Sequence, residues 1–184
     1  MISHIGVFKL KKLIATLVVP FMFLGCASNV SQTVKQPLVK STSSVNAIYL
    51  VVSRSGNVIE NNDFVSVKQD LITQVTKKAK VKMPDLKILT AGEQPASGIV
   101  ANVEIQELRY VSGAARFMGG VLSGQAKLGA KLEVTDISSK QKKGELLLGT
   151  SSKFSEGIFG GTTGRQVEAV SEQIVTQLKE FTSN

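Results

Sequence analysis

Gln125-Ala126-Lys127-Leu128-Gly129-Ala130-Lys131-Leu132-Glu133-Val134-Thr135 alternates without a break. Ala126, Leu128, Ala130, Leu132 and Val134 point one way, and Gln125, Lys127, Lys131, Glu133 and Thr135 the other. Side chains of a strand alternate between faces, so this pattern predicts a half-buried antiparallel strand whose apolar face needs a cover. Towards the C-terminus, Asp136 to Gly144 reads as a polar turn and Glu145-Leu146-Leu147-Leu148-Gly149-Thr150 as the start of the returning strand. The cover follows. Thr163 and Gln166 have the spacing of a capping box, and Val167, Val170, Ile174, Leu178 and Phe181 then form one helical stripe.

Towards the N-terminus, Ile99, Ala101, Val103 and Ile105 oppose Asn102, Glu104 and Gln106 with the same period of two, and Leu86-Lys87-Ile88-Leu89 is a shorter strand before the Gly92 and Pro95 turn. Asn61-Asn62-Asp63 supplies an N-cap for a helix marked by Phe64, Val67, Leu71, Val75 and Ala79, with Lys77, Lys78 and Lys80 at its negative pole and Pro84 closing it. Asn46-Ala47-Ile48-Tyr49-Leu50-Val51-Val52 is a strand ending in the turn signal Ser55-Gly56-Asn57. The expected fold is α+β in the order β-α-β-β-β-β-α: a mainly antiparallel sheet of about five strands with two helices on one face, because neither helix can bury its stripe alone.

The chain has 184 residues, 42% of them hydrophobic and 20% charged, which is ordinary for a globular fold. Its formal charge is +8, yet Lys9, Lys11 and Lys12 precede an apolar run from Leu13 to Phe23 that is too short to span a bilayer. A basic segment followed by a short apolar one is a signal peptide, here residues 1–25. Without it, 19 basic residues face 14 acidic ones. The bases are scattered and aromatics make up 5% of the chain, so no nucleic-acid partner is expected.

The apolar run ends at Leu24-Gly25-Cys26-Ala27-Ser28. This stretch resembles the lipobox of bacterial lipoproteins, with Phe23 where Leu is usual. The resemblance implies that Cys26 is acylated on its sulfur and becomes the mature N-terminus, so the lipid bilayer is the first expected partner. Ala27 in place of Asp implies, by the same resemblance, the outer membrane facing the periplasm. Residues 26–45, rich in Ser, Thr and Gln, read as a flexible tether with a root-mean-square span of about 25 Å, followed by one periplasmic domain over 46–184.

Two glycine-rich segments are apolar where loops are usually polar. One runs from Arg116 to Gly124, the other from Gly157 to Gly164. Their side chains Phe117, Met118, Val121, Leu122, Ile158 and Phe159 either fold back as satellite core or present a contact surface, for which Phe117, Met118, Leu122, Ile158 and Phe159 are the candidate residues. Gly120 and Gly124, like Gly160 and Gly164, have G-x-x-x-G spacing, read here as turn or bulge glycines that need positive φ. The pattern Arg116-x-x-Gly119-Gly120-x-x-x-Gly124-x-Ala126-x-Leu128, the strand to Asp136 and the later Gly160-Gly161 resemble the bacterial lipoproteins grouped as domain of unknown function 4410. That family implies no particular activity. Its usual Gly shortly after the strand-ending Asp is replaced by Ser138 to Lys143, which implies a longer turn.

The mature chain contains neither His nor any Cys beyond Cys26, which excludes Ser-His-Asp and Cys-His catalysis and argues against zinc catalysis. Ser139-Lys140-Gln141-Lys142 has S-x-x-K spacing but lies in a predicted turn, and no phosphate-cradling glycine motif occurs. Glu104 with Glu107, and Glu168 with Glu172, read as solvated faces rather than catalytic pairs. The expectation is a non-enzymatic, lipid-anchored envelope protein without cofactor or metal. It would bind an envelope protein partner; the alternatives are an oligomerising accessory subunit of an export or envelope complex and, behind it, a periplasmic enzyme that works without His or Cys.

Overall fold

The structure, a computed structural model, describes residues 30–39, 45–119, 124–151 and 162–183. Its elements are β1 (Val30–Gln36), β2 (Ala47–Arg54), α1 (Asn62–Lys82), β3 (Lys87–Leu89), β4 (Ile99–Arg109), α2 (Gly113–Gly119), β5 (Lys127–Asp136), β6 (Lys142–Ser151) and α3 (Thr163–Thr182). The class is α+β, as expected. Among the described residues there are six strands rather than about five, in the order β1-β6-β5-β4-β2-β3, and three helices rather than two.

The sheet is mixed rather than mainly antiparallel. β1 with β6, β6 with β5 and β5 with β4 are antiparallel, whereas β2 is parallel to both β4 and β3. For β2 and β3 the reason is the strand-helix-strand unit β2-α1-β3. A helix that returns the chain along one sheet face delivers the next strand in the same direction as the first. Period-two patterning reports which face is buried and carries no direction, so β4 alternates as cleanly between a parallel and an antiparallel neighbour as β5 does between two antiparallel ones.

The segment expected to be a free tether supplies an edge strand. β1 pairs along its length with β6, from Val30 opposite Thr150 to Gln36 opposite Glu145. Ser31 Oγ donates to Gly149 O at 2.9 Å, and Gln173 Nε2 on α3 donates to Gln32 Oε1 at 2.6 Å. Beyond the strand, Pro37 and Leu38 lie so close to Gly144 that a Cβ there would sit 2.8 Å from Pro37 O and from the Leu38 Cα. Only glycine at 144 permits this approach, since both obstacles are backbone. β1 was hidden in the sequence because an edge strand tolerates polar side chains and lysine, which also blunt unwanted pairing.

One face of the sheet is covered. Ile48, Leu50 and Val52 of β2, Ile99, Ala101, Val103 and Ile105 of β4, Leu128, Ala130, Leu132 and Val134 of β5, and Leu146 and Leu148 of β6 are buried there. Phe64, Val67, Leu71, Val75 and Ala79 of α1 and Val167, Val170, Ile174, Leu178 and Phe181 of α3 complete the same core. α1 starts where the sequence placed it, with the Asn61 side chain accepting from Phe64 N at 3.0 Å. A bulge between Ile105 and Glu107 shifts the phase of β4, so that Leu108 rather than Glu107 stands opposite Leu128.

The expected long polar turn after β5 is short. Asp136 N donates to Gln141 O at 2.9 Å, Ser139 N donates to Asp136 Oδ1 at 2.7 Å, and Lys140 takes a positive φ of 56°. Lys142 and Gly144 already belong to β6. The Asp136 side chain replaces the expected glycine by holding the turn through Ser139, and these hydrogen bonds keep its carboxyl below the usual aspartate range.

Ile174 is fully buried between α1 and the sheet, so Ile174→Ala is expected to destabilise the protein by about 2–5 kcal/mol. Denaturant unfolding measures this directly, and an unchanged midpoint would contradict the packing described.

Candidate functional site

The strand register gathers one end of the sheet. Val30, Thr150, Leu128 and Leu108 lie in one row across β1, β6, β5 and β4. β2 and β4, running parallel, finish at this end, so it also carries the loop from β2 into α1 and the β4-to-β5 connection. β1 begins at the same end, and α3 starts there.

The β4-to-β5 connection contains the candidate contact residues that the structure describes. Phe117 and Met118 sit on α2, 73% and 88% exposed. The sequence assigned this stretch to a loop. Its seven helical residues escape a periodicity reading because they are bounded by Gly113 and Gly119 and show no repeating apolar stripe. Cys26, Leu122, Ile158 and Phe159 lie outside the described residues. Ile59, 77% exposed, and Tyr110 extend the apolar surface at this end and were not singled out by sequence; they line a cleft of about 330 Å³ with Asn57, Asn61 and Gln106.

The connection is fastened to α3. Thr163 N donates to Val111 O at 3.1 Å, and Val111 N donates to Thr163 Oγ1 at 2.8 Å, a reciprocal pair in the buried interior. Gln166 Nε2 donates to Ala126 O at 2.7 Å, at the far end of the same connection. These are the two residues whose spacing reads as a capping box. The cap of α3 is Thr162, which makes no side-chain capping bond, and Thr163 and Gln166 are fully buried and turned to the neighbouring chain instead. Buried backbone groups must be paired, and here α3 side chains pair those that the sheet leaves open. Gly124 has the positive φ expected of it, +83°, and the Arg109 guanidinium lies where its Cβ would be, whereas Gly164, read the same way, lies in the first turn of α3 without a positive φ.

The carboxylates considered as catalytic candidates are all engaged with lysines. On the sheet face away from the helices, Glu104 stands opposite Lys131 with 2.6 Å between them, and Glu107 is 3.3 Å from Lys127. Lys131 holds the Glu104 carboxyl below the usual glutamate range. Glu133 and Glu145 face each other directly, an unfavourable cross-strand pair. The irregularity in β6 at Lys142 turns that lysine to the same face, where it contacts both, at 3.0 Å from Glu133. Lys142 belongs to this charge ladder rather than to an S-x-x-K site. Between the helices, Glu172 of α3 accepts from Lys82 of α1, and Lys78 lies 3.3 Å from Glu172 and 3.9 Å from Glu168. Among the described residues no cluster of acidic, His or Cys side chains forms a metal-binding group, and no helix is long and apolar enough to cross a membrane.

No family model and no curated protein matches the chain. Among solved structures, the chain is similar in fold to the PelC dodecamer from Paraburkholderia phytofirmans. A PelC variant gives a TM-score of 0.50 at 14% identity, and a second PelC structure 0.50 at 11%; each match covers 83% of this chain and 97% of the other. The hypothetical protein CT253 from Chlamydia trachomatis reaches 0.48 at 11% identity, over 74% of this chain and 98% of that one.

Two outcomes are expected. Thr163→Val removes the acceptor for the buried Val111 amide, a loss of about 1–3 kcal/mol that denaturant unfolding would register. Glu172 has its carboxyl held below the usual glutamate range, first by the hydrogen bond from Lys82. A folded-state pKa below the unfolded one contributes stability above the unfolded value and loses it as pH falls through the folded one. Glu172→Gln should therefore lower stability at neutral pH and flatten its decline below about pH 4.5, as urea midpoints across that range would show.

Proposed function

We propose that the chain is a lipid-anchored envelope protein that works by contact and not by catalysis, held to the outer membrane through acylated Cys26 and facing the periplasm. The observation that carries the contact role is the exposure of Phe117 and Met118 on a helix fastened at both ends of its connection to the core, by Thr163 and Gln166. An apolar pair held out on a buttressed support is an interaction feature, because solvent exposure of such groups brings no gain to the fold itself. The order of basic residues, short apolar run and Gly25-Cys26 supports the anchor. The likeness to lipoproteins of domain of unknown function 4410 belongs to the same proposal.

A second reading, an oligomerising accessory subunit of an envelope or export complex, is favoured by the fold it shares with PelC, which forms a dodecamer. Edge strands β1 and β3 end the sheet without a further strand among the described residues, so copies or partners can add to either side.

Cys26→Ala tests the anchor. The native chain should partition with envelope membranes and carry the mass of an acylated N-terminal cysteine, and the variant should lose both. Unchanged membrane partitioning and unchanged processing would overturn the reading. Light scattering of the purified native chain in detergent should give a multiple of the chain mass, and a strict monomer would remove the oligomeric reading.

A further inference from the structure

The strand that replaced the tether changes where the membrane stands. Were residues 26–45 a free chain, the body could lie in any orientation about 25 Å from the lipid. With β1 locked to β6 from Val30 onward, only residues 26–29 separate Cys26 from the sheet, and four residues reach at most about 14 Å. The anchored end is thereby fixed: Val30 lies in the row Val30, Thr150, Leu128, Leu108, at the end of the sheet from which α2 is hung. Three strand spacings, about 14 Å, separate β1 from β4, which leads into Tyr110 and α2.

This end also holds most of the large apolar side chains that the described residues expose. Ile59, Tyr110, Phe117 and Met118 lie in its connections, and Val65 in the first turn of α1. The opposite end carries the tight Asp136 turn, with Ser138, Ser139 and Lys140 outermost. We propose that the α2 end is apposed to the bilayer that holds Cys26, with Phe117 and Met118 entering its interfacial layer. The proposal rests on Cys26 being the lipidated residue and names the lipid surface as the occupant of the contact site. Self-assembly and protein contacts then fall to the sheet edges. Aromatic and flexible apolar side chains suit the headgroup boundary, and the acyl anchor raises their local concentration there, so a small apolar surface suffices where alone it would not.

The single cysteine makes the test clean, because an acylated Cys26 leaves no free thiol. Met118→Cys and, separately, Ser138→Cys in the full-length lipidated chain each carry an environment-sensitive fluorophore and are reconstituted into vesicles of phosphatidylethanolamine and phosphatidylglycerol. Part of the phospholipid bears a nitroxide quencher near the headgroup. Mass spectrometry first establishes the acyl group. The label at 118 should shift to the blue and lose most of its emission to the quencher, while the label at 138 keeps its own. An acylated, vesicle-bound protein whose 118 label is no more quenched than its 138 label overturns the apposition and leaves the anchor standing. A chain without the acyl group and free of vesicles overturns the lipoprotein reading, and the apposition with it. Both substituted side chains are exposed, so neither label disturbs the core.

Discussion

Burial of one sheet face beneath α1 and α3 is the constraint from which the rest of the molecule follows. The inner side chains of β2, β4, β5 and β6 form a continuous apolar surface, and neither helix is wide enough to close it. α1 covers the parallel part as the crossover between β2 and β3, and α3 covers β5 and β6 after their hairpin is complete. Their mutual contact is sealed at its solvent edge by Lys78 and Lys82 on Glu172, a partly exposed network whose worth is modest beside the apolar contacts below it. The opposite sheet face needs no cover because its charges neutralise one another across neighbouring strands.

The same constraint explains the two features on which the proposed contact role rests. α3 must begin close over the sheet end to bring Val167 and Val170 onto the core, and its first turn is therefore buried. Thr163 and Gln166 then become the partners of the open backbone at Val111 and Ala126, which holds the α2 connection at both ends. At the far edge, β6 would expose its unpaired backbone, and β1 closes it. Closing that edge with β1 places Val30 at the end of the sheet from which α2 is hung.

What the sequence made legible was burial. The apolar faces of α1, α3, β4 and β5 were readable because one buried face repeats at a fixed period. Strand direction was less visible, although Ala47 to Val52, apolar almost throughout, is the pattern of a strand inside a parallel array, and β2 with α1 and β3 has the strand-helix-strand order. β1 was illegible because its residues on the helix side, Gln32 and Val34, alternate a polar with an apolar group and both stay exposed. Thr163 and Gln166 were noticed for the right spacing and assigned the wrong task, since a capping box and a buried tertiary clasp use the same side chains. Phe117 and Met118 stood out as apolar residues outside any periodic element. Their helix, and its closeness to the start of β1, came only from the strand register.

The account turns on β1 being part of the sheet. Amide hydrogen exchange on the full-length protein measures this most directly. The β1 amides bonded to β6 should be slowed well beyond free-chain rates and should lose protection together with the edge of β6. Exchange of residues 30–36 at the rate of an unstructured chain, with β6 still protected through β5, would contradict it.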